Sequence, residues 1–468
     1  MDIFAIYYTT ALLVLLFMLF RHRKSALSEL LVLIAFTGVF SYFIPRGTQY
    51  ANIVYVLFVT YLVIKKEAWK QKHFYRNIII LFAIFSIYFL LDGLVLESNW
   101  LFLFSQYSKY YLPFACFMLF VYYASRNPRY LLNFNQVFYE LLTIQCIFGV
   151  FKWILMGRHF WEGMVGTFGG VIGGGAGTGF PLIALCWVAV NSNMNIRKWY
   201  SWIFVFGLLF VGIAAGKRAV IILYPILFLA LSVFVCRKKY SRRVWILIAA
   251  VPLMLYLGVR LTPTLNPENQ MWGSFDLDYA LNYSENYVAG DEETRDTHYR
   301  GRLGSVRLMG DILKNTNNYT SQTLFGEGVV RAYTSTEDRD AYNQFGKDYG
   351  LDHRGALTGV FFLYIAIGIV GVFLFCVYYW QLFGFVKYKR LRFTMWGLVM
   401  FDFICYNSTT VRDPFVNTLL MFTIVYSLCQ FSSEGMFVGQ IHPLFNSIKK
   451  KYRQNSNNST TLDNKSSR

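Results

Sequence analysis

The sequence has few charged residues and few cysteines. Charged side chains make up only 15% of its 468 residues, against about 25% in an ordinary soluble domain. The seven cysteines lie in or beside apolar runs, and none of them shows the CxxC spacing. They therefore predict buried thiols, and the sequence favours neither a disulfide-stapled secreted domain nor a cysteine metal site.

Apolar residues dominate the chain instead. Hydrophobic residues make up 56%, aromatic residues 19%, and the mean hydropathy is +0.39. A helix needs about 20 mostly apolar residues to cross a bilayer. About thirteen runs approach or exceed that length, at residues 3–20, 26–44, 50–64, 78–96, 100–123, 135–156, 164–190, 199–215, 218–236, 243–261, 356–383, 394–411 and 413–431. The pattern predicts an all-α, polytopic integral membrane protein with about 12–13 transmembrane helices. The first run lacks the basic lead and the cleavage site of a signal peptide.

The positive charge falls in alternate connections between these runs. The basic segments are RHRK (21–24), KKEAWKQKHFYR (65–76), SRNPR (125–129), IRK (196–198), RKKYSRR (237–243), KYKRLR (387–392) and KKKYR (449–453). This is the positive-inside pattern. It predicts an outer N-terminus and a cytoplasmic C-terminus, and it explains the net charge of +18 without nucleic-acid binding.

The topology divides the chain into four parts. They are transmembrane helices 1–10 at 1–261, an extracytoplasmic (periplasmic) loop at 262–355, helices 11–13 at 356–431, and a basic, polar cytoplasmic tail at 432–468. Acidic residues outnumber basic ones in the loop. A helix over 301–314 is expected to dock on the membrane domain, or to dip into the bilayer interface, through a helically spaced apolar face, namely Leu303, Val306, Met309, Ile312 and Leu313.

A glycine-rich stretch, GTFGGVIGGGAGTGF (166–180), stands at the start of the seventh run. It lacks both the Gly-x-Gly-x-x-Gly pattern and a following Lys-Ser or Lys-Thr, and the topology places it on the outer side, away from cytoplasmic nucleotides. Two interpretations remain. Glycines such as Gly174 and Gly177 allow close helix packing, or they form an unwound segment whose backbone N–H groups face an anionic substrate.

Several motifs together resemble the O-antigen ligase and O-antigen polymerase superfamily of bacteria. In chain order they are GTFGG, AAGKRAVIILYP (214–225), RGRLGSVRLMGDIL (300–313), LFGEGVV (324–330) and DHRGALTGVFFLYIAIGIVG (352–371). The resemblance implies a GT-C-like membrane fold in the bacterial cytoplasmic (inner) membrane. It implies an active site on the periplasmic face, a glycan donor carried on undecaprenyl diphosphate, and no metal, nucleotide or other cofactor. It also implies catalytic roles for Arg218, Arg302 and His353.

Other charged residues are candidates for the same chemistry. A leaving diphosphate needs cationic groups, and guanidinium groups bind phosphate oxygens in pairs. Candidate diphosphate-binding residues are Lys217, Arg260, Arg300, Arg354 and Lys109. Arg260 is equally well explained as a side chain reaching the lipid headgroups. Histidine suits proton transfer near neutral pH, and His298 competes with His353 as the base. Lys109 and Asp402 lie in apolar runs, where a charge needs a partner or a wet cavity; either they pair or Lys109 reaches the diphosphate.

Three functions fit these features. The first is a polysaccharide polymerase for O-antigen lipopolysaccharide or capsule. It would transfer the growing glycan from undecaprenyl diphosphate to the non-reducing-end hydroxyl of a lipid-linked repeat unit, with inversion and with a chain-length regulator as a possible protein partner. The second is a ligase that transfers the glycan to lipid A core or to protein. The third is a transporter of the lipid-linked oligosaccharide, which would show pseudo-symmetric halves, whereas the polar residues here concentrate in one loop.

Overall fold

The computed structural model describes most of the chain as helices. The described residues are 3–23, 25–45, 47–96, 100–127, 129–156, 164–168, 176–192, 199–235, 242–289, 302–315, 321–329, 358–386, 389–406 and 408–428. In chain order the helices are α1 (Ile3–His22), α2 (Ala26–Ala35), α3 (Thr37–Phe43), α4 (Gly47–Lys65), α5 (Lys72–Leu96), α6 (Trp100–Arg126), α7 (Arg129–Leu155), α8 (Ala176–Ser192), α9 (Trp199–Ala214), α10 (Arg218–Val235), α11 (Arg242–Leu261), α12 (Leu277–Ala289), α13 (Gly304–Asn315), α14 (Ser321–Phe325), α15 (Gly359–Phe383), α16 (Lys389–Cys405), α17 (Thr409–Arg412) and α18 (Pro414–Leu428). No strand occurs within these ranges, so the predicted all-α class is confirmed.

Several helices are long and apolar enough to cross a membrane. Within the described residues there are five, or six if the bent pair of α2 and α3 forms one span. The five are Ile3–His22, Gly47–Lys65, Tyr75–Leu96, Arg129–Leu155 and Gly359–Phe383. Shorter apolar helices occupy much of α8, α9, α10, α11 and α18. The chain is therefore a membrane-embedded helical protein, as its composition predicts.

The helices pack around an aromatic core. α5 packs along α15, α6 along α18, and α8 contacts α9, α10 and α18. Phe82 stacks on Phe114 with ring centroids 4.1 Å apart, and Phe375 lies 4.5 Å from Phe403. Such ring pairs add about 0.5–1.5 kcal/mol beyond the area they bury. The many aromatic residues therefore serve first as packing between helices.

One end of the bundle gathers helix termini from distant parts of the sequence, and we call it the Arg218 end. The first turn of α8 lies against the turn between α9 and α10, where a Cβ on Gly177 would stand 2.9 Å from the Cβ of Ala215. The N–H of Gly359, which opens α15, donates to the carbonyl of Tyr406 just beyond α16 at 2.6 Å. A Cβ on Gly179 of α8 would stand 3.2 Å from Cγ2 of Thr410, in the short helix that follows α16. The termini of α8, α9, α10, α15 and α16 therefore meet at this end.

A buried polar network fixes residues 164–168 beside α7. The chain bends by 59° between α2 and α3, which leaves backbone groups at the bend without hydrogen-bond partners inside a helix. Thr167 supplies the missing hydrogen-bond partners. Its hydroxyl donates to the Ala35 carbonyl at 2.7 Å, and its carbonyl accepts from the Gly38 N–H at 3.0 Å. Gln145 of α7 completes the network, accepting from the Thr167 N–H at 2.7 Å and donating to the Ala35 carbonyl at 2.9 Å.

The seventh predicted span begins later than its hydropathy indicates. Residues 164–168 are not helical, and α8 starts only at Ala176. Gly166 has φ +88, a conformation that glycine adopts without strain, and its carbonyl accepts from the Tyr7 hydroxyl at 2.7 Å. Hydropathy could not show this, because the same apolar residues suit a helix or a buried irregular segment. Close packing occurs at Gly177, and residues 164–168 are irregular, but the Thr167 N–H donates to Gln145, so a contact of backbone N–H groups with an anionic substrate stays a prediction.

Helix α15 is interrupted nine residues after it begins. Ile367 and Gly368 have non-helical backbone angles, and Gly368 has φ +66. The segment 321–329 packs against this break, with the Glu327 N–H donating to the Ile365 carbonyl at 2.6 Å. The Tyr88 hydroxyl of α5 donates to the Ile367 carbonyl at 2.9 Å. In a membrane-embedded helix, carbonyls freed by a break need such partners, so the LFGEG segment belongs to the membrane domain's packing.

Helix α13 exists where the sequence predicts it, and Val306, Met309 and Ile312 of the predicted face pack against the core, but the most deeply buried positions lie beside that face. Ser305 and Leu308 are the most deeply buried side chains of this helix, whereas the predicted face was centred on Val306 and Met309. Ser305 accounts for the difference, since its hydroxyl lies 3.0 Å from that of Thr358 at the start of α15. A hydrogen bond to the neighbouring helix turned a polar position inward, and apolar spacing alone could not reveal it.

Candidate functional site

Arg218 begins α10 and points toward the segments that follow α11. The chain reverses at Gly216, with φ +64, and the Lys217 N–H donates to the Gly212 carbonyl at 3.1 Å, a glycine turn typical of helix ends. The Arg218 guanidinium donates to the hydroxyl of Thr264 at 3.2 Å and to that of Tyr283 at 3.3 Å. It also lies 4.5 Å from the centroid of the Tyr283 ring. These contacts with Thr264 and Tyr283 orient the guanidinium.

Lys217 lies beside the first turn of α8. A Cβ on Gly177 would stand 3.2 Å from Cγ of Lys217 and 3.2 Å from Cγ1 of Val165. Gly177 therefore lets α8, the segment 164–168 and the Lys217 turn approach one another closely. The structure brings Gly177 beside Lys217, which directly precedes Arg218.

Arg302 reaches the same end from the loop that follows α12. Its guanidinium carbon lies 5.3 Å from the centroid of the Tyr406 ring, directly after α16. The hydrogen bond between Ser305 and Thr358 fixes the start of α13 against α15. Arg302 precedes the N-terminus of α13, where its charge adds to the positive end of the helix dipole. Tyr406 was not predicted as its partner.

Asp402 is buried near the end of α16, with 3% of its surface exposed. One carboxylate oxygen accepts from the Thr410 N–H at 2.6 Å and from the Thr410 hydroxyl at 2.7 Å. Its carbonyl accepts from the N–H groups of Tyr406 and Ser408. Asp402 thus shapes the turn between α16 and α17 that presents Tyr406 to Arg302.

Lys109 lies on α6, toward the Arg218 end. Its ammonium donates to Gln106 on the same helix at 2.7 Å. Cys116, seven residues further along α6, lies 3.6 Å from the Thr418 hydroxyl of α18. Lys109 therefore lies about 10 Å closer than Cys116 to the N-terminus of α6. Asp402 and Lys109 each have a hydrogen-bond partner of their own, Thr410 and Gln106.

Arg260 ends α11 and holds the start of the following loop. Its guanidinium donates to the Gly273 carbonyl at 2.8 Å, to the Trp272 carbonyl at 3.0 Å and to the Tyr256 hydroxyl at 2.6 Å. Nearby, the N–H and hydroxyl of Ser274 donate to Glu268 at 2.8 and 2.9 Å. These bonds lower the pKa of Glu268 below its ordinary value. Arg260 therefore holds the start of this loop, and both its headgroup and its diphosphate roles stay predictions.

Two basic residues near the site were missed by sequence reasoning. Arg412 ends α17, directly before Asp413, which caps α18 by accepting from the N–H groups of Phe415 and Val416 at 3.0 Å each. The Asp-Pro pair at 413–414 signals a helix start and could have placed Arg412 in a turn.

Lys152 of α7 is the second missed residue. It is 3% exposed, and its ammonium lies 5.5 and 5.9 Å from the ring centroids of Tyr7 and Tyr8. Its position inside the apolar run 135–156 was the signal, because a buried charge calls for an explanation.

Five predicted site residues lie outside the described residues: His298, Arg300, His353, Arg354 and Gly174. Their roles remain predictions. Of the predicted residues that are described, Arg218, Lys217, Arg302, Asp402 and Gly177 share the Arg218 end.

Comparisons with known proteins find no match. No family model matches the chain, and neither do curated proteins or solved structures. The functional argument therefore depends on the residues and their geometry.

Proposed function

We propose that the chain is a membrane glycosyltransferase that polymerises a polysaccharide from a lipid-diphosphate donor. In this proposal the helices form 12–13 transmembrane spans of GT-C-like architecture in the bacterial inner membrane, and the Arg218 end faces the periplasm. The observation that carries the proposal is the convergence of Lys217, Arg218 and Arg302 at one end of the bundle. Lys217 and Arg218 stand together at the start of α10, and Arg302 stands just before α13. Two separate helix ends therefore supply the cations, at the depth at which the diphosphate of a lipid-linked glycan lies.

The chemistry assigns a role to each group. The guanidinium groups of Arg218 and Arg302 bind the diphosphate and stabilise the negative charge that grows as the bond between sugar and phosphate breaks. His353 removes the proton from the acceptor hydroxyl, a step typically worth 10²–10⁴-fold in rate. The hydroxyl oxygen then attacks the anomeric carbon directly, undecaprenyl diphosphate leaves, and the configuration at that carbon inverts.

The contacts of Arg218 support a preorganised cation. Thr264 and Tyr283 hold its guanidinium in a fixed orientation. Preorganised cations stabilise a leaving group without reorganising during the reaction. Asp402 supports the site indirectly by shaping the turn that carries Tyr406.

The test uses the purified protein in lipid with one lipid-linked repeat unit, without added metal or nucleotide. A ladder of products on a gel supports the polymerase, and transfer only after addition of a lipid A core acceptor indicates the ligase. Movement of the lipid across the bilayer without a new glycosidic bond would rule out both. The His353→Ala variant is expected to lose the ladder while keeping the thermal stability of the wild type.

A further inference from the structure

An apolar surface is exposed beside the candidate site, before and along α12. Trp272, Phe275, Leu277 and Leu281 expose 52%, 43%, 39% and 45% of their surfaces. We call these four residues the apolar patch. Scattered exposed apolar side chains are ordinary, but these four are close in sequence and include two aromatic rings. A cluster of this kind indicates a surface that another phase or molecule covers.

The patch continues the lipid-facing side of α11. The Phe275 ring centroid lies 5.5 Å from that of Tyr256, and Tyr256 and Leu253 of α11 are 38% and 48% exposed. Since α11 is an apolar helix of a membrane-embedded protein, its exposed side chains face lipid. The patch is therefore contiguous with a surface that the bilayer already covers.

Arg260 indicates the depth of this surface. Its guanidinium carbon lies 5.4 Å from the ring centroids of both Tyr256 and Trp272, and it donates to the Trp272 carbonyl. Arginine with tyrosine and tryptophan at the end of an apolar helix is typical of the headgroup region of a bilayer. Trp272 consequently lies at the boundary between headgroups and acyl chains.

The surface of helix α12 has three sectors around the helix axis. At 100° per residue, Leu277 and Leu281 form a narrow exposed apolar sector. Exposed polar residues form the adjacent sector, namely Asp278, Asn282, Glu285 and Asn286. The third sector faces the protein, where Ala280 is buried and Tyr283 holds Arg218. A helix lying flat in a bilayer interface has this arrangement of apolar, polar and anchored faces.

We propose that the apolar patch inserts into the leaflet at the Arg218 end, so that α12 lies in the bilayer interface. The partner is the lipid bilayer itself, with acyl chains covering the patch and water covering the polar sector. This proposal goes beyond glycan transfer, because the surface would bind lipid whatever reaction the protein carries out. Through Tyr283 it also places the Arg218 guanidinium beside a membrane-bound element.

The test measures the depth of two positions on α12 in the full-length protein. Leu281→Cys and Asn286→Cys, about 140° apart around the helix axis, are each labelled with the fluorophore NBD and reconstituted in phosphatidylcholine vesicles. Wild-type protein labelled in parallel gives the background from native cysteines. We expect nitroxide-labelled acyl chains to quench residue 281 severalfold more than residue 286, and aqueous iodide to show the opposite order.

Two outcomes would overturn the proposal. Equal quenching of both positions by iodide, with none by lipid nitroxide, would mean that water covers the patch. A blue-shifted label at 281 that neither quencher reaches would mean that protein covers it. Leu277→Cys provides a second apolar position if Leu281→Cys does not fold. None of these measurements depends on enzymatic activity, so failure here leaves the glycosyltransferase proposal to its own test.

Discussion

Gln145 is the residue on which the irregular segment 164–168 depends. Its amide bonds both to the backbone and hydroxyl of Thr167 and to the carbonyl of Ala35. A Gln145→Leu variant keeps the volume but leaves buried polar groups unsatisfied, which costs about 1–3 kcal/mol. We expect a lower midpoint of thermal unfolding for the purified protein.

The matched control is Gln136→Leu on the same helix. Gln136 is exposed and donates to Glu140 at 3.0 Å, so its replacement should leave the midpoint almost unchanged. Equal midpoints for the two variants would show that the buried network does not stabilise the fold.

Gly166 provides a second test at the residue scale. Its φ of +88 is unfavourable for alanine, and an added Cβ would collide with the Gln145 amide oxygen. We expect Gly166→Ala to destabilise the protein by more than about 1 kcal/mol, measured as a lower midpoint of thermal unfolding. Gly397→Ala in α16, where an added Cβ meets nothing within 4 Å, should be neutral or slightly stabilising. A Gly166→Ala protein as stable as Gly397→Ala would contradict the assigned conformation.

Residue chemistry and position explain which site residues the sequence could predict. Catalytic roles for Arg218 and Arg302 are implied by the family resemblance, and their positions at the edges of an apolar run and of an amphipathic helix agree with it. Tyr283 and Tyr406 were beyond prediction, because they contact those arginines only through folding of distant segments.

At the scale of helices, the break in α15 depends on contacts from two other elements. Tyr88 donates to the carbonyls of Ile367 and Leu324 at 2.9 and 3.3 Å. Tyr88→Phe removes both bonds and should loosen the docking of 321–329. We expect faster hydrogen–deuterium exchange of the Glu327 amide, which is bonded to Ile365. Tyr50→Phe, at a position 56% exposed, is the control, and an unchanged Glu327 amide in Tyr88→Phe would refute this role.

The helix breaks explain where hydropathy stops being informative. The runs 26–44 and 356–383 are continuously apolar, yet the chain bends at Phe36 and at Gly368. Hydropathy reports only whether the side chains of a segment are apolar enough for a membrane. A broken helix meets that requirement as well as a straight one does, provided that neighbours donate hydrogen bonds to the carbonyls freed at the break. The existence of these helices was therefore predictable, whereas their interruptions depend on Thr167 and Tyr88.

At the scale of the whole molecule, the charge distribution predicts which faces of the membrane the two ends occupy. The side chain of Lys70 is 61% exposed and lies in the basic connection 65–76. Glu285 lies on α12 at the Arg218 end. In intact cells a membrane-impermeant maleimide should label Glu285→Cys, and it should label Lys70→Cys only after permeabilisation. Wild-type protein, labelled in parallel, sets the background. The reverse pattern would invert the proposed orientation.

The central claim is that the cations at the Arg218 end act on a lipid diphosphate. The most direct measurement compares Arg218→Ala, Arg302→Ala and Arg126→Ala in the assay with a lipid-linked repeat unit. Arg126 is exposed at the far end of α6, so it controls for the loss of an arginine. We predict at least a 10²-fold loss of polymer for the first two variants, with wild-type ladders from Arg126→Ala and equal thermal midpoints. Full-length ladders from Arg218→Ala and Arg302→Ala would contradict the account.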